Sequence, residues 1–119
     1  PRDTDIGIVT DSSTSLQWQD DVVSNTMQWQ SAISYCKNLT LGNFNDWRLP
    51  TIIELKTIVD RSKKPAILDK FKNINPEHYW SYSSYDGNKK YAWNIFFRYG
   101  VVDYNREDTK NYARCVRDN

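Results

Sequence analysis

Rings and cations alternate along the last third of this chain. Lys89 and Lys90 stand between Tyr85 and Tyr91, Arg98 and Tyr99 mark the next reversal, and Tyr104, Arg106 and Lys110 follow. Lys63 and Lys64 form another basic spot upstream. Aromatic faces stack on sugar rings and attract cations, while Lys and Arg pair with sulfate, carboxylate or phosphate groups. Tyr suits a binding face because it brings area and a hydroxyl on a stiff side chain. Tyr85, Lys89, Lys90, Arg98, Tyr99, Tyr104, Arg106 and Lys110 are therefore the candidate ligand-binding residues. The plain alternative is a solvated surface with Tyr-rich turns.

Other chemistries are poorly supplied. His78 is the single histidine, so a Ser/His/Asp triad would have to be built on it. Zinc usually takes several Cys or His ligands, and beyond His78 the chain offers only Cys36 and Cys115. Only four Gly are present and they are scattered, so there is no Gly-rich loop of the kind that cradles a phosphate. Asp20 and Asp21, and the stretch from Asp103 to Asp108, offer oxygens for calcium. Such an ion wants about six to eight ligands, and carboxylates beside turns are common. The expectation is a domain without catalytic residues, metal or cofactor.

The elements that must hold these residues fit one domain, 1–119, of ordinary size. Apolar content is a modest 39%, but five Trp, eight Tyr and four Phe can build a small core from large rings. The Trp residues are expected in that core, with the Tyr divided between core and surface. Charge is uneven: residues 1–60 carry four basic and eight acidic side chains, residues 61–119 twelve and seven. Such asymmetry can mark an anion-binding face. No apolar run reaches about 18 residues, so membrane insertion is not expected. The chain opens at Pro1 without a signal peptide, as a mature product or a domain excised from a larger surface protein would.

Periodicity gives the order of elements. Residues 6–10 and 16–19 read as a hairpin around the turn-forming stretch 11–15. A first helix, capped by Asn25 or Thr26, carries Trp29, Ala32, Ile33, Cys36 and Leu39 on one stripe. A second begins with a capping box, Thr51 with Glu54, and is expected to bury Ile52, Ile53, Leu55, Ile58 and Val59. Strands at 79–83, 91–98 and 101–104 form an antiparallel meander, with a closing strand at 112–117. Tyr91, Trp93, Ile95 and Phe97 share one face of the middle strand. Cys36 and Cys115 are either two buried thiols or a disulfide. As a disulfide they would close a loop of 79 residues, worth about 4–5 kcal/mol in the chain-entropy model, and would place the domain in an oxidising compartment.

The string Asp46-Trp47-Arg48-Leu49-Pro50-Thr51, followed by Glu54-Leu55, resembles the DWRLPT-x-x-EL signature of a bacterial family. That family is named for the C-terminal domain of the Legionella collagen-like adhesin. Leu16-Gln17-Trp18-Gln19-Asp20 is similar to its GLTWQD segment, with Ser15 in place of the usual Gly. The run from Ala32 to Leu39, Tyr79-Trp80-Ser81, Ala92-Trp93, Gly100 and Arg114-Cys115-Val116-Arg117 fall in the same order as its other landmarks. The resemblance covers nearly the whole chain. It implies an α+β, C-type-lectin-like fold in which the first-helix Cys36 pairs with Cys115 of the final strand. It also implies a structural role for Asp46, Trp47 and Arg48, a buried Arg–carboxylate pair beside a Trp pinning the loop between the helices.

Calcium-dependent lectins of the wider fold use a Trp-Asn-Asp triplet, whereas here Trp93-Asn94 is followed by Ile95. The expected function is thus a non-catalytic, extracellular or cell-surface adhesin domain for polyanionic glycans such as sulfated glycosaminoglycans, which the name-giving adhesin binds. A structural or protein-binding module of a larger surface protein is the alternative. No nucleic-acid partner is expected. A homotrimer, as in the collagen-like adhesin, would supply the multiple copies that weak exposed contacts need.

Overall fold

The computed structural model describes residues 2–3 (backbone only), 7–21, 25–85 and 90–119. Strands β1 (Arg2–Asp3), β2 (Ile8–Asp11) and β3 (Leu16–Gln19) open the chain. Helices α1 (Trp29–Lys37) and α2 (Ile52–Lys56) follow, then strands β4 (His78–Ser84), β5 (Tyr91–Phe96), β6 (Val101–Arg106) and β7 (Val116–Asp118). Two antiparallel sheets result, ordered β1-β2-β3-β7 and β4-β5-β6.

The hairpin forms where turn chemistry predicts it. Asp11 closes β2 opposite Leu16, and its Oδ1 accepts from the Ser13 amide at 3.1 Å and the Ser13 hydroxyl at 2.7 Å. Of the expected first strand, Ile6 lies outside the described residues. The closing strand differs from expectation. It is β7, it begins only at Val116, and it lies against β3 of the first sheet, with Trp18 opposite Val116. Tyr112 instead bridges the meander: its amide donates to the His78 carbonyl, and its own carbonyl accepts from Trp80. The C-terminal segment therefore stitches the two sheets together.

Helix α1 starts later than the Asn25 or Thr26 cap would place it. Met27 exchanges both backbone bonds with Asn111, at 2.8 and 3.0 Å, which holds the chain extended up to Gln28. The Trp29 amide then donates to the Glu107 carbonyl at 3.0 Å, so tertiary contact replaces a side-chain cap. Trp29, Ala32 and Cys36 form the buried stripe. Cys36 and Cys115, both fully buried, are joined in a disulfide with their Cα atoms 5.4 Å apart.

Helix α2 has the predicted capping box, the Thr51 hydroxyl accepting from the Glu54 amide and the Glu54 carboxylate from the Thr51 amide. It is too short to bury the whole apolar set. Leu55 and Ile58 are fully buried, but Ile53 is 74% exposed, about 160° around the helix from Leu55 at 100° per residue. Four of the five Trp pack inside in two clusters, Trp18 with Tyr79 and Phe97, and Trp29, Trp47 and Trp80 around the disulfide. Trp93 stays half-buried on the meander.

Gly100 turns β5 into β6 at φ +73°, and a Cβ there would sit 2.8 Å from Val59 Cγ1 and 3.0 Å from Ala66 Cβ. Both the left-handed backbone and the close approach oppose a side chain. Gly100→Ala is expected to cost about 2–4 kcal/mol in urea unfolding; a change within about 0.5 kcal/mol would show the contact to be soft.

Candidate functional site

Strands β5 and β6 place the rings. Their register sets Tyr91 opposite Arg106, Trp93 opposite Tyr104 and Ile95 opposite Val102. Opposed residues share a face, so Tyr91, Trp93, Tyr104 and Arg106 lie together on one side of the sheet. Tyr85, one residue beyond β4, folds onto the same side and stacks on Tyr104 with centroids 4.5 Å apart. Its ring also lies 5.0 Å from Trp93, and Tyr104 meets Trp93 edge-on at 5.5 Å and Tyr91 at 5.9 Å. The Arg106 guanidinium lies 6.0 Å from the Tyr91 centroid. Its Nε donates to Asp108 Oδ1 at 3.3 Å, and that hydrogen bond raises the guanidinium further above its ordinary range. Lys90 is exposed beside Tyr91 at the same end. The result is a four-ring platform with cations at its rim.

The eight residues singled out from sequence do not form one site. Tyr85, Lys90, Tyr104 and Arg106 gather here. Arg98 and Tyr99 occupy the opposite end of the hairpin, about 17 Å away at roughly 3.4 Å per residue. There Tyr99 packs edge-on against Phe96 and lies 5.5 Å from Lys64 Nζ, while Arg98 reaches Glu77 at 3.7 Å. Lys110 lines a separate open cleft of about 360 Å³ with Thr26, Glu77, His78, Asn111 and Tyr112. Lys89 lies outside the described residues. Two platform rings were absent from the predicted set, Tyr91 and Trp93. The signal was present in their alternation along β5, but only the register with β6 sets them beside Tyr104.

Several groups with catalytic or metal-binding side chains are already engaged. His78 Nδ1 is 2.7 Å from Asn94 Oδ1 and its ring stacks on Phe96 at 4.4 Å. Asn94 and Asn111 both donate to Asn105 Oδ1, at 2.8 and 3.2 Å. Buried Asp20 accepts from the Lys72 and Asn73 amides and from Arg114 Nη1 at 3.1 Å. Arg114 also donates to the Gln19 and Asn73 carbonyls and lies between Phe71 and Tyr79, 5.1 and 5.6 Å from their centroids. Asp103 binds the Tyr104 amide and Asp108 binds Arg106, so these carboxylates serve separate tasks. No cluster of three or more His, Cys, Asp or Glu occurs among the described residues.

The inter-helix loop is pinned differently from expectation. Arg48 forks onto Glu54 with both bonds at 2.7 Å and also reaches Asp118 at 3.0 Å, in a half-exposed setting rather than a buried one. Asp46, exposed, pairs with Arg117, whose guanidinium lies 3.7 Å from the Phe44 centroid. Trp47 is buried and donates to the Leu41 carbonyl at 3.3 Å. The Arg48 fork holds the Glu54 carboxyl below its ordinary range, as Arg117 does for Asp46 and the Ser13 hydroxyl for Asp11. Lowered folded-state values add stability above the unfolded carboxylate range that is lost as pH falls through the folded ones. Thermal melts are therefore expected to be flat between about pH 6 and 8 and to decline below about pH 4.3, less steeply in Glu54→Gln. An unchanged acid slope in that variant would remove the fork from the account.

The family model described as the Lcl C-terminal domain matches residues 7–117, nearly the whole chain. No curated protein matches it. Among the described residues, no helix is long and apolar enough to cross a membrane.

Proposed function

The chain belongs to the Lcl C-terminal domain family, and from that premise we propose that it is an extracellular, adhesin-type domain that binds acidic glycans without catalysis. The two-sheet α+β arrangement is read as C-type-lectin-like, and the disulfide fits an oxidising, extracellular setting. Sulfated glycosaminoglycans are the leading ligand class. The observation that carries the reading is the platform itself: Tyr85, Tyr91, Trp93 and Tyr104 on one sheet face, with Arg106 against one ring. Stacked rings supply area for the apolar face of a sugar, and Lys90 and Arg106 supply charge for sulfate or carboxylate. Arg106 is exposed and shares its charge with Asp108, so the rings carry more of the affinity than the cations do.

A protein-binding role is the second reading. It is favoured by a groove of about 320 Å³ lined by Ile33, Trp47, Leu49 and exposed Tyr82.

Retention on immobilised heparin across a salt gradient tests the first reading. Elution above physiological salt is expected, with large loss in Trp93→Ala and Tyr104→Ala, smaller loss in Arg106→Ala, and none in Tyr99→Ala. Flow-through of the unaltered chain would favour the protein-binding reading. Equal loss in Tyr99→Ala would move the site to the other end of the hairpin.

A further inference from the structure

Next to the ring platform lies a cavity with a different lining. Ile95 opposes Val102 two residues beyond the Trp93–Tyr104 pair, so these two continue the same sheet face toward the β5–β6 reversal. Lys56 at the end of α2, with Val59 and Arg61 just after it, joins them and Gly100 around a cavity of about 220 Å³. The apolar part of the lining is aliphatic rather than aromatic. Ile95 is fully buried, while Val102 stays 39% exposed.

Arg61 is held in place there. Its Nε donates to the Gly100 carbonyl at 3.1 Å, and its Cγ lies 3.2 Å from where a Gly100 Cβ would stand. Among the described residues, neither its two Nη groups nor the Lys56 ammonium has a partner. No Asp or Glu among those residues lines the cavity. The Asp60 carboxylate accepts from the Ser62 amide and hydroxyl at 3.0 and 2.6 Å. Asp103, opposite Asn94, belongs to the other face of the sheet and holds the Tyr104 amide.

We propose that this cavity binds a carboxylate carried on a short, branched aliphatic group. A guanidinium tethered at Nε keeps its two Nη groups as a fork, which matches the two oxygens of a carboxylate. Lys56 adds a second positive charge beside it. Val59, Ile95 and Val102 offer sugar hydroxyls no hydrogen bonds and sugar rings no aromatic face, so they favour hydrocarbon. A water occupies about 30 Å³ of liquid, so the cavity holds roughly seven such volumes, close to a leucine-like side chain with its carboxylate. A free branched acid and the last residue of a peptide both present that chemistry. The proposal does not rest on the glycan reading.

Methyl ¹H–¹³C correlation spectra of the labelled 119-residue chain, titrated with 4-methylpentanoate, test it. Saturating shifts are expected in Val59, Ile95 and Val102, with a Kd of about 1–20 mM for a ligand of so few atoms. The amide 4-methylpentanamide lacks the charge and acetate lacks the aliphatic body. Each is expected to bind at least about tenfold more weakly. Arg61→Gln should weaken binding of the acid at least about tenfold, and Lys56→Gln by a smaller factor. The same spectra verify the fold, and Lys56→Gln carries the comparison if Arg61→Gln unfolds. An N-acetylated tripeptide ending in leucine separates the two sources: tighter binding than the free acid identifies a chain terminus, otherwise a free acid, and both uphold the site. Absence of saturating shifts with either acid, an amide or acetate that binds as tightly, or undiminished binding in the folded variants would overturn it. Heparin retention, read in Trp93→Ala and Tyr104→Ala, is measured separately, so either idea can fail alone.

Discussion

Arg114→Met is expected to destabilise the domain by about 3–5 kcal/mol, because it takes the guanidinium partner away from a carboxylate buried in the core. Both partners are buried, with Arg114 only 4% exposed and Asp20 fully enclosed. The pair does more than neutralise itself. Asp20 gathers the Lys72 and Asn73 amides while its own carbonyl accepts from Asn73 Nδ2 at 2.7 Å. Arg114 meanwhile holds the Asn73 carbonyl, so one buried ion pair fastens the long segment before β4 to the end of β3. Asp20→Asn should cost a similar amount, and the double variant Arg114→Met/Asp20→Asn less than the sum of the singles. Urea unfolding of the three variants provides the numbers. Losses below about 1 kcal/mol for either single change would mean that solvent reaches this pair.

Loss of the disulfide is the second large effect. It closes 79 residues, which the chain-entropy model values at about 4–5 kcal/mol. Both sulfurs lie in the cluster of Trp29, Trp47 and Trp80, so Cys36→Ala/Cys115→Ala also removes packing. The double variant is expected to lower the urea midpoint more than any surface change, and more than Gly100→Ala. The site should respond as well, since the disulfide fixes α1 and the segment before β7 beneath the meander. A variant of unaltered stability would show that the core, rather than the crosslink, confines the chain.

Local signals were the ones legible in the sequence. The Asp11–Ser15 turn, the capping box of Thr51 and Glu54, and the alternation from Tyr91 onward each act over a few residues, and α2 and β5 begin where they were expected, although β5 ends at Phe96 rather than at 98. The pairing of Cys36 with Cys115 came from family resemblance, and the fold realises it. What could not be read depends on distant parts of the chain. Bonds from Asn111 and Glu107 set the start of α1, and β3 captures the closing strand. Ile53 was misplaced because a five-residue helix has room for only one buried stripe. The candidate site was half legible. Ring and cation types could be read directly, but β-register alone decides that Trp93 joins Tyr104 while Arg98 and Tyr99 lie at the far end.

The most direct test of the glycan reading is a ¹H–¹⁵N correlation titration of the labelled chain with a size-defined sulfated heparin oligosaccharide. The account predicts saturating shifts in the Trp93 indole and in the amides of Tyr85, Tyr91, Tyr104 and Arg106, with Tyr82 and Tyr99 left in place. Shifts confined to the Tyr82 groove or the Arg98–Tyr99 turn, or no shifts at all, would contradict it.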